Sequence, residues 1–295
     1  MSSKRNFKRR ANSDPLFPGS YNARILVNRP MKRETVRGVE LAFVDRGAGS
    51  PVVLVHGFPL DHTMWDAQIE VLADQYRVIA PDLRGFGQSG VTEGTVTMER
   101  MADDLAALLD AIGIAGPIAL CGLSMGGYVA FAFQRKYASR LRSLILCDTR
   151  AANDTPEMAA ARLEMADRVL REGPAPLVDG MMPKLFAEAT VQDCSAVVES
   201  LRSVMMGTAP NGIAAAARGM AERADATAAL GEIECPALVI VGEHDAITPS
   251  EEMSAICRAI PGGRFVEIAG SGHMSPIEAP AEVNAAILEF LAALK

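Results

Sequence analysis

Short runs rich in Val, Ile and Leu recur along the chain at 52–55 (VVLV), 78–80 (VIA), 118–121 (IALC), 144–147 (LILC) and 238–241 (LVIV), with a more alternating FVEI at 265–268 last. Uninterrupted apolar runs of this length suit strands covered on both faces. Ahead of them, TVR from Thr35, then Gly38, then ELAFVD read as two short strands around a turn, so a hairpin opens the folded region. Between the runs the apolar positions take up a helical period. Met101, Leu105, Leu108, Leu109 and Ile112 form one stripe. Val283, Ile287, Phe290, Leu291 and Leu294 form another, after Pro280 at a first helical position. Strand and helix alternate, which predicts an α/β fold with a mostly parallel sheet and helices on both faces.

The alternation breaks between residues 150 and 228, where helical stretches at 159–172, 192–206 and 212–229 follow one another without a convincing strand. The chain thus divides into a core at 35–149 and 229–295 with a helical insertion at 150–228. Since the last strands come after the insertion, it is expected to lie over the carboxyl ends of the strands, where open α/β sheets bind ligands. A lid is the natural reading. Seven of the 15 methionines fall in it (Met158, Met165, Met181, Met182, Met205, Met206, Met220) and could line an adaptable pocket or fill gaps between helices.

Composition narrows the class. Of 295 residues, 49% are apolar and 22% charged, as expected of a globular protein. The net charge of −7 is unevenly spread: residues 1–37 carry ten Lys/Arg against two acids, so the body is acidic and the N-terminal end basic. Residues 1–34 show no periodicity and read as a mobile basic tail. An acidic body lacks the clustered cations that nucleic acid requires, which argues against such a partner. Cys121, Cys147, Cys194, Cys235 and Cys257 include no CxxC pair and leave one thiol over in any pairing scheme, so neither a zinc site nor a disulfide framework is indicated. No apolar run is long enough for a membrane span, and no secretory signal stands at the N-terminus. A cytoplasmic protein acting on a small molecule, without metal or organic cofactor, is the expectation; oligomeric state is not legible.

The candidate chemistry centres on Gly122-Leu-Ser124-Met-Gly126, set between the strand PIALCG and a helical YVAFAFQRKYA. A GxSxG at a strand-to-helix turn is a nucleophile elbow, in which glycines give room for a turn that exposes the serine hydroxyl. The alternative is a serine that merely caps a helix. A serine needs a base to take its proton, and that base needs a carboxylate on its far nitrogen. Of four histidines, His273 follows the last strand in a short Gly-containing loop and is the candidate base. His56 and His62 precede the serine, and His244 adjoins a carboxylate. Asp245, after the strand ALVIVG, is the candidate acid, with Asp148 and Glu243 as rivals. Backbone N–H groups of Met125 and Phe58 are expected to receive the oxyanion, with His56 buttressing the loop that carries Phe58. Phe58 and Trp65 could wall an acyl site, Trp65 serving equally well as core.

Five landmarks occur in order: His56-Gly-Phe-Pro59, Asp82-Leu-Arg-Gly-Phe-Gly-Gln-Ser89, Gly122-Leu-Ser-Met-Gly126, Gly242-Glu-His-Asp245 and Gly272-His273. Over residues 36–295 the chain resembles the α/β-hydrolase superfamily, and within it the esterase, enol-lactonase and cofactor-free perhydrolase group, which also carries a stretch like CDTRAANDTPE. The resemblance implies an eight-stranded, mostly parallel sheet, a helical lid inserted after the sixth strand, and Ser124, Asp245 and His273 as catalytic triad. The activity implied is that of a carboxylesterase on short-to-medium acyl esters, with enol-lactone hydrolysis or C–C bond hydrolysis as alternatives. A ligand-binding protein on the same fold is the non-enzyme alternative. Gly85-Phe-Gly-Gln-Ser-Gly90 matches a dinucleotide fingerprint, but VTEGTVT after it reads as loop, so no helix N-terminus is offered to a pyrophosphate.

Overall fold

The computed structural model describes residues 31–294. The basic segment at 1–30 lies outside the described residues, while Lys32–Glu34, counted with that segment from sequence, already belong to the first strand. Eight strands form one sheet: β1 (Lys32–Val36), β2 (Val39–Arg46), β3 (Pro51–Val55), β4 (Arg77–Pro81), β5 (Ile118–Leu123), β6 (Leu141–Cys147), β7 (Ala237–Gly242) and β8 (Arg264–Ile268), in the order β1-β2-β4-β3-β5-β6-β7-β8. The first two strands run antiparallel to their neighbours, and β4, β3, β5, β6, β7 and β8 are parallel. The expected hairpin is present, turning through Arg37 and Gly38, both at positive φ, as a two-residue turn between twisted strands requires.

The helices are α1 (Asp66–Leu72), α2 (Met98–Ala111), α3 (Met125–Tyr137), α4 (Pro156–Glu172), α5 (Ala175–Leu185), α6 (Glu188–Asp193), α7 (Ser195–Gly207), α8 (Pro210–Ala221), α9 (Ser250–Ala259), α10 (Ser275–Glu278) and α11 (Pro280–Ala292). The side-chain period of two along the strands builds a core on each face. Val53, Val55, Leu120, Leu144 and Val239 meet Met101, Leu105, Phe133 and Met253 of α2, α3 and α9. Val52, Leu54, Cys121, Ile145 and Ile240 meet Ile69, Leu72, Val283, Ile287 and Phe290 of α1 and α11. Strand β8, at the sheet's edge, is mostly exposed, which explains its alternating sequence.

From Pro156 to Ala221 the chain is a block of helices, differently divided from the sequence expectation. The stretch at 192–206 breaks at Cys194 between α6 and α7, and 212–229 ends at Ala221 before a 3-10 helix at Thr227–Glu232. Helix α5 escaped notice because Pro176, Gly180 and Pro183 read as breakers; Pro176 sits in the first turn, where its missing N–H costs nothing. The block rests on loops at the carboxyl ends of parallel strands. Thr208 Oγ1 donates to Pro59 O (2.9 Å) after β3, Val96 N to Ala215 O (3.0 Å) after β4, and Met274 N to Leu185 O (3.0 Å) after β8.

Candidate active site

Strand β5 passes straight into α3 through Ser124, whose φ of 54° and ψ of −114° are costly for a residue with a Cβ. Surrounding bonds impose that conformation. Ser124 N donates to Cys147 O on β6 (3.0 Å), and Ser124 O accepts from Thr149 Oγ1 (2.7 Å) and Gly127 N (2.9 Å). The turn is tight enough that a Cβ on Gly122 would lie 2.2 Å from Gly126 O, and one on Gly126 2.2 Å from Val55 O. The two glycines of the motif are therefore steric requirements of the turn, which sets Ser124 at the carboxyl end of β5.

Met125 N opens α3, and Phe58 lies in the loop after β3; neither N–H has a protein acceptor among the described residues. The two loops touch, since a Cβ on Gly57 would stand 3.5 Å from Ser124 Cβ. His56, fully buried, braces this arrangement as expected. Its Nε2 accepts from Leu83 N (2.9 Å) and its Nδ1 donates to Gly57 O (2.9 Å), which requires the neutral ring; burial pushes its pKa down accordingly.

His273 and Asp245 meet in the loops after β8 and β7. His273 Nδ1 lies 2.8 Å from Asp245 Oδ2, with both side chains almost wholly buried. Asp245 also accepts from Thr248 Oγ1, from Thr248 N (2.9 Å) and from Ile247 N (2.8 Å). Burial alone would raise its pKa, but the hydrogen bonds of His273 and Thr248 outweigh it and hold the carboxyl below the usual range. With Nδ1–H committed to Asp245, the lone pair falls on Nε2. No hydrogen bond within 3.5 Å joins Ser124 Oγ to His273 among the described residues; catalytic contacts of this kind are often loose until substrate is bound.

Neither rival carboxylate touches His273. Glu243 faces outward, accepting from Gly270 N (2.8 Å). Asp148, buried and at φ 44°, accepts from Gly242 N (2.8 Å) and pairs with Ser275 Oγ (2.5 Å). Burial, then the charge of nearby Asp245, pushes the Asp148 carboxyl well above its ordinary range, which favours the protonated form.

Three features escaped sequence reasoning. His62, noted from the sequence only for preceding the serine, pairs with Asp82: its Nδ1 lies 2.7 Å from Asp82 Oδ1, which also accepts from His62 N (2.9 Å). Asp82 Oδ2 accepts from Gln88 N (2.8 Å), so the glycine-rich 85–90 segment wraps around a carboxylate rather than opening a helix. Asp61, His62 and Asp82 are the one metal-ligand-type group among the described residues, and their donor atoms are already engaged in these bonds and in those of Asp61 to Thr63. Glu278 bridges the His273 loop and the helical block; burial pushes its carboxyl up against the pull of its donors. Trp65 is fully enclosed in the core, away from any acyl-facing role, and Met158 and Met206 are exposed.

Comparison with known proteins agrees with this geometry. A family model described as the alpha/beta hydrolase fold matches residues 50–280. The chain is 31% identical to 3-oxoadipate enol-lactonase 1 of Acinetobacter baylyi, over 78% of this chain and 84% of that protein. Among solved structures, a thermophilic esterase from Thermogutta terrifontis, with malate bound, superposes with a TM-score of 0.88 and 52% identity, covering 90% of this chain and 99% of that one. The enol-lactonase from Burkholderia xenovorans gives 0.82 and 30% over 88% and 100%. No helix among the described residues is long and apolar enough to cross a membrane.

Proposed function

Because the chain belongs to the α/β-hydrolase family, we propose that it is a carboxylic-ester hydrolase whose triad is Ser124, His273 and Asp245. The observation that carries this reading is the buried His273–Asp245 pair at 2.8 Å, set on the same sheet edge as a serine forced into an elbow. His273 Nε2 takes the Ser124 proton as Oγ attacks the acyl carbon, and Asp245 stabilises the imidazolium. The tetrahedral oxyanion settles on the N–H groups of Phe58 and Met125, which have no protein acceptor to give up. His273 then protonates the departing alcohol, leaving an acyl-enzyme that water, activated by the same imidazole, hydrolyses. The helical block at 150–228 serves as a lid over this site, and short-to-medium acyl groups are the substrates.

The likeness to two enol-lactonases supports a second reading, in which the same residues break the acyl–oxygen bond of a lactone ring. The 52% identity to an esterase supports taking the open ester as the first reading. Turnover of p-nitrophenyl acetate with a pre-steady-state burst, abolished in Ser124→Ala, together with organophosphate labelling at Ser124, is the expected result. Labelling at another residue overturns the triad. A panel of p-nitrophenyl esters beside an enol-lactone and a peracid assay ranks the substrates.

A further inference from the structure

The loop that carries His273 is tied to the helical block by one carboxylate outside the triad. Glu278 Oε1 accepts from Gly272 N (2.8 Å), next to the imidazole-bearing residue. Its Oε2 accepts from Ala187 N (2.8 Å) and Thr190 Oγ1 (2.7 Å), at the junction of α5 and α6. Just beside this bridge, Met274 N donates to Leu185 O (3.0 Å). Residues on both sides of His273 are thus fastened to residues 185–190 of the block, and no other side chain makes a comparable link there among the described residues.

We propose that Glu278 is a positioning residue that couples His273 to the seating of the helical block, so that the general base is aligned only when the α5–α6 junction is docked. This rests on the assignment of His273 as the base. The chemistry of the bridge requires a carboxylate. Its three partners are all donors, placed on opposite sides, and each oxygen faces at least one of them. An amide has a single acceptor oxygen, so glutamine can serve Gly272 or the junction but not both, and its NH2 group then confronts an N–H. A lid that moves would break or strain this link, and the imidazole would shift with it. Misplacement of a reacting group by about 1 Å lowers rates by about 100-fold.

The test compares wild type, Glu278→Gln, Thr190→Val and the double variant in full-length protein with p-nitrophenyl acetate. Glu278→Gln is expected to lower kcat by about 10- to 100-fold with KM changed less than about threefold. Thr190→Val, which removes one donor on the block's side and leaves Gly272 served, is expected to lower kcat about three- to tenfold, less than additively with Glu278→Gln. The low-field proton resonance of the His273–Asp245 pair should broaden in both variants, a readout independent of substrate. Wild-type kcat and an unchanged resonance in either variant overturn the proposal, as does a kcat that falls only with the folded fraction. If Glu278→Gln does not fold, Thr190→Val alone decides by the same criteria. A wild-type protein that neither turns over esters nor is labelled at Ser124 overturns the hydrolase reading instead, a different result.

Discussion

Nδ1 of His62 lies 2.7 Å from Oδ1 of Asp82 in the interior, and the same oxygen accepts from the His62 backbone. Burial alone would neutralise both groups, yet each overrides it: Asp82 keeps the imidazole protonated to higher pH than usual, and His62 keeps the carboxylate ionised to lower pH. His62 has the raised pKa, so its contribution is complete below the ordinary imidazole range and is lost as pH rises through the raised value. Asp82 has the lowered one, so its contribution is lost as pH falls. His62→Gln should therefore cost about 3 kcal/mol near pH 6 and remove the alkaline decline. Urea unfolding across pH measures this; equal stability of variant and wild type at pH 6 contradicts the pair's role.

Asp148 works with the same sign as His62 and the opposite sign to Asp82. Its raised pKa means that folding retains a proton that the unfolded chain gives up, so the stability it confers is complete at acid pH and declines as pH climbs above the ordinary carboxylate range. The decline is at most about 1.4 kcal/mol for each pH unit. Asparagine keeps an acceptor oxygen for Gly242 N, and its NH2 group can donate to Ser275 Oγ where the carboxylate accepts from it. Asp148→Asn should unfold at a temperature less dependent on pH between about 5 and 8 and keep most of its activity. Asp148→Ala should lose both contacts. A steeper pH profile in the asparagine variant would count against a raised Asp148 pKa.

Asp245→Asn preserves size and packing but offers His273 Nδ1 an acceptor and a donor of equal reach, so the ring can settle in the wrong tautomer. The expected loss is about 10⁴-fold in kcat, with KM little changed. Stopped-flow acylation kinetics measure the loss directly, and a variant with near-native kcat means that another carboxylate serves the base.

Gly126→Ala places a methyl against the Val55 carbonyl at the oxyanion loop. Relief requires moving either α3 or β3, at a cost of about 2–3 kcal/mol. Thermal unfolding and the burst amplitude should fall together. A stable variant with a full burst would show that the elbow has more room than its geometry indicates.

The fold was legible where pattern and partner agree. Apolar runs marked β3 to β7 because those strands are covered on both faces, and α2 and α11 showed their stripes because each packs one side on the sheet. Helix α5 was hidden, since Pro176 and Pro183 are read as breakers until the backbone shows that Pro176 falls in a first turn, where its N–H is spare. The elbow and its neighbours were legible because GxSxG is a steric statement about consecutive residues. The His62–Asp82, Asp148–Ser275 and Glu278–Gly272 contacts were not. Two of them join residues far apart in sequence, and Glu278 carries no local signature that distinguishes it from a surface acid. Asp148 was noticed for its place at a strand end, but only its partners reveal that it holds loops instead of the imidazole.

The positive φ of Ser124 also limits what this scaffold could become. A side chain branched at Cβ collides with its own backbone in that region. Threonine, the closest chemical relative of serine, is thereby barred from position 124, whereas a thiol or a carboxylate on an unbranched stem fits the same bend. Exchange of the attacking atom, and with it the kind of bond broken, is open to sulfur or to a carboxyl oxygen but closed to a secondary alcohol.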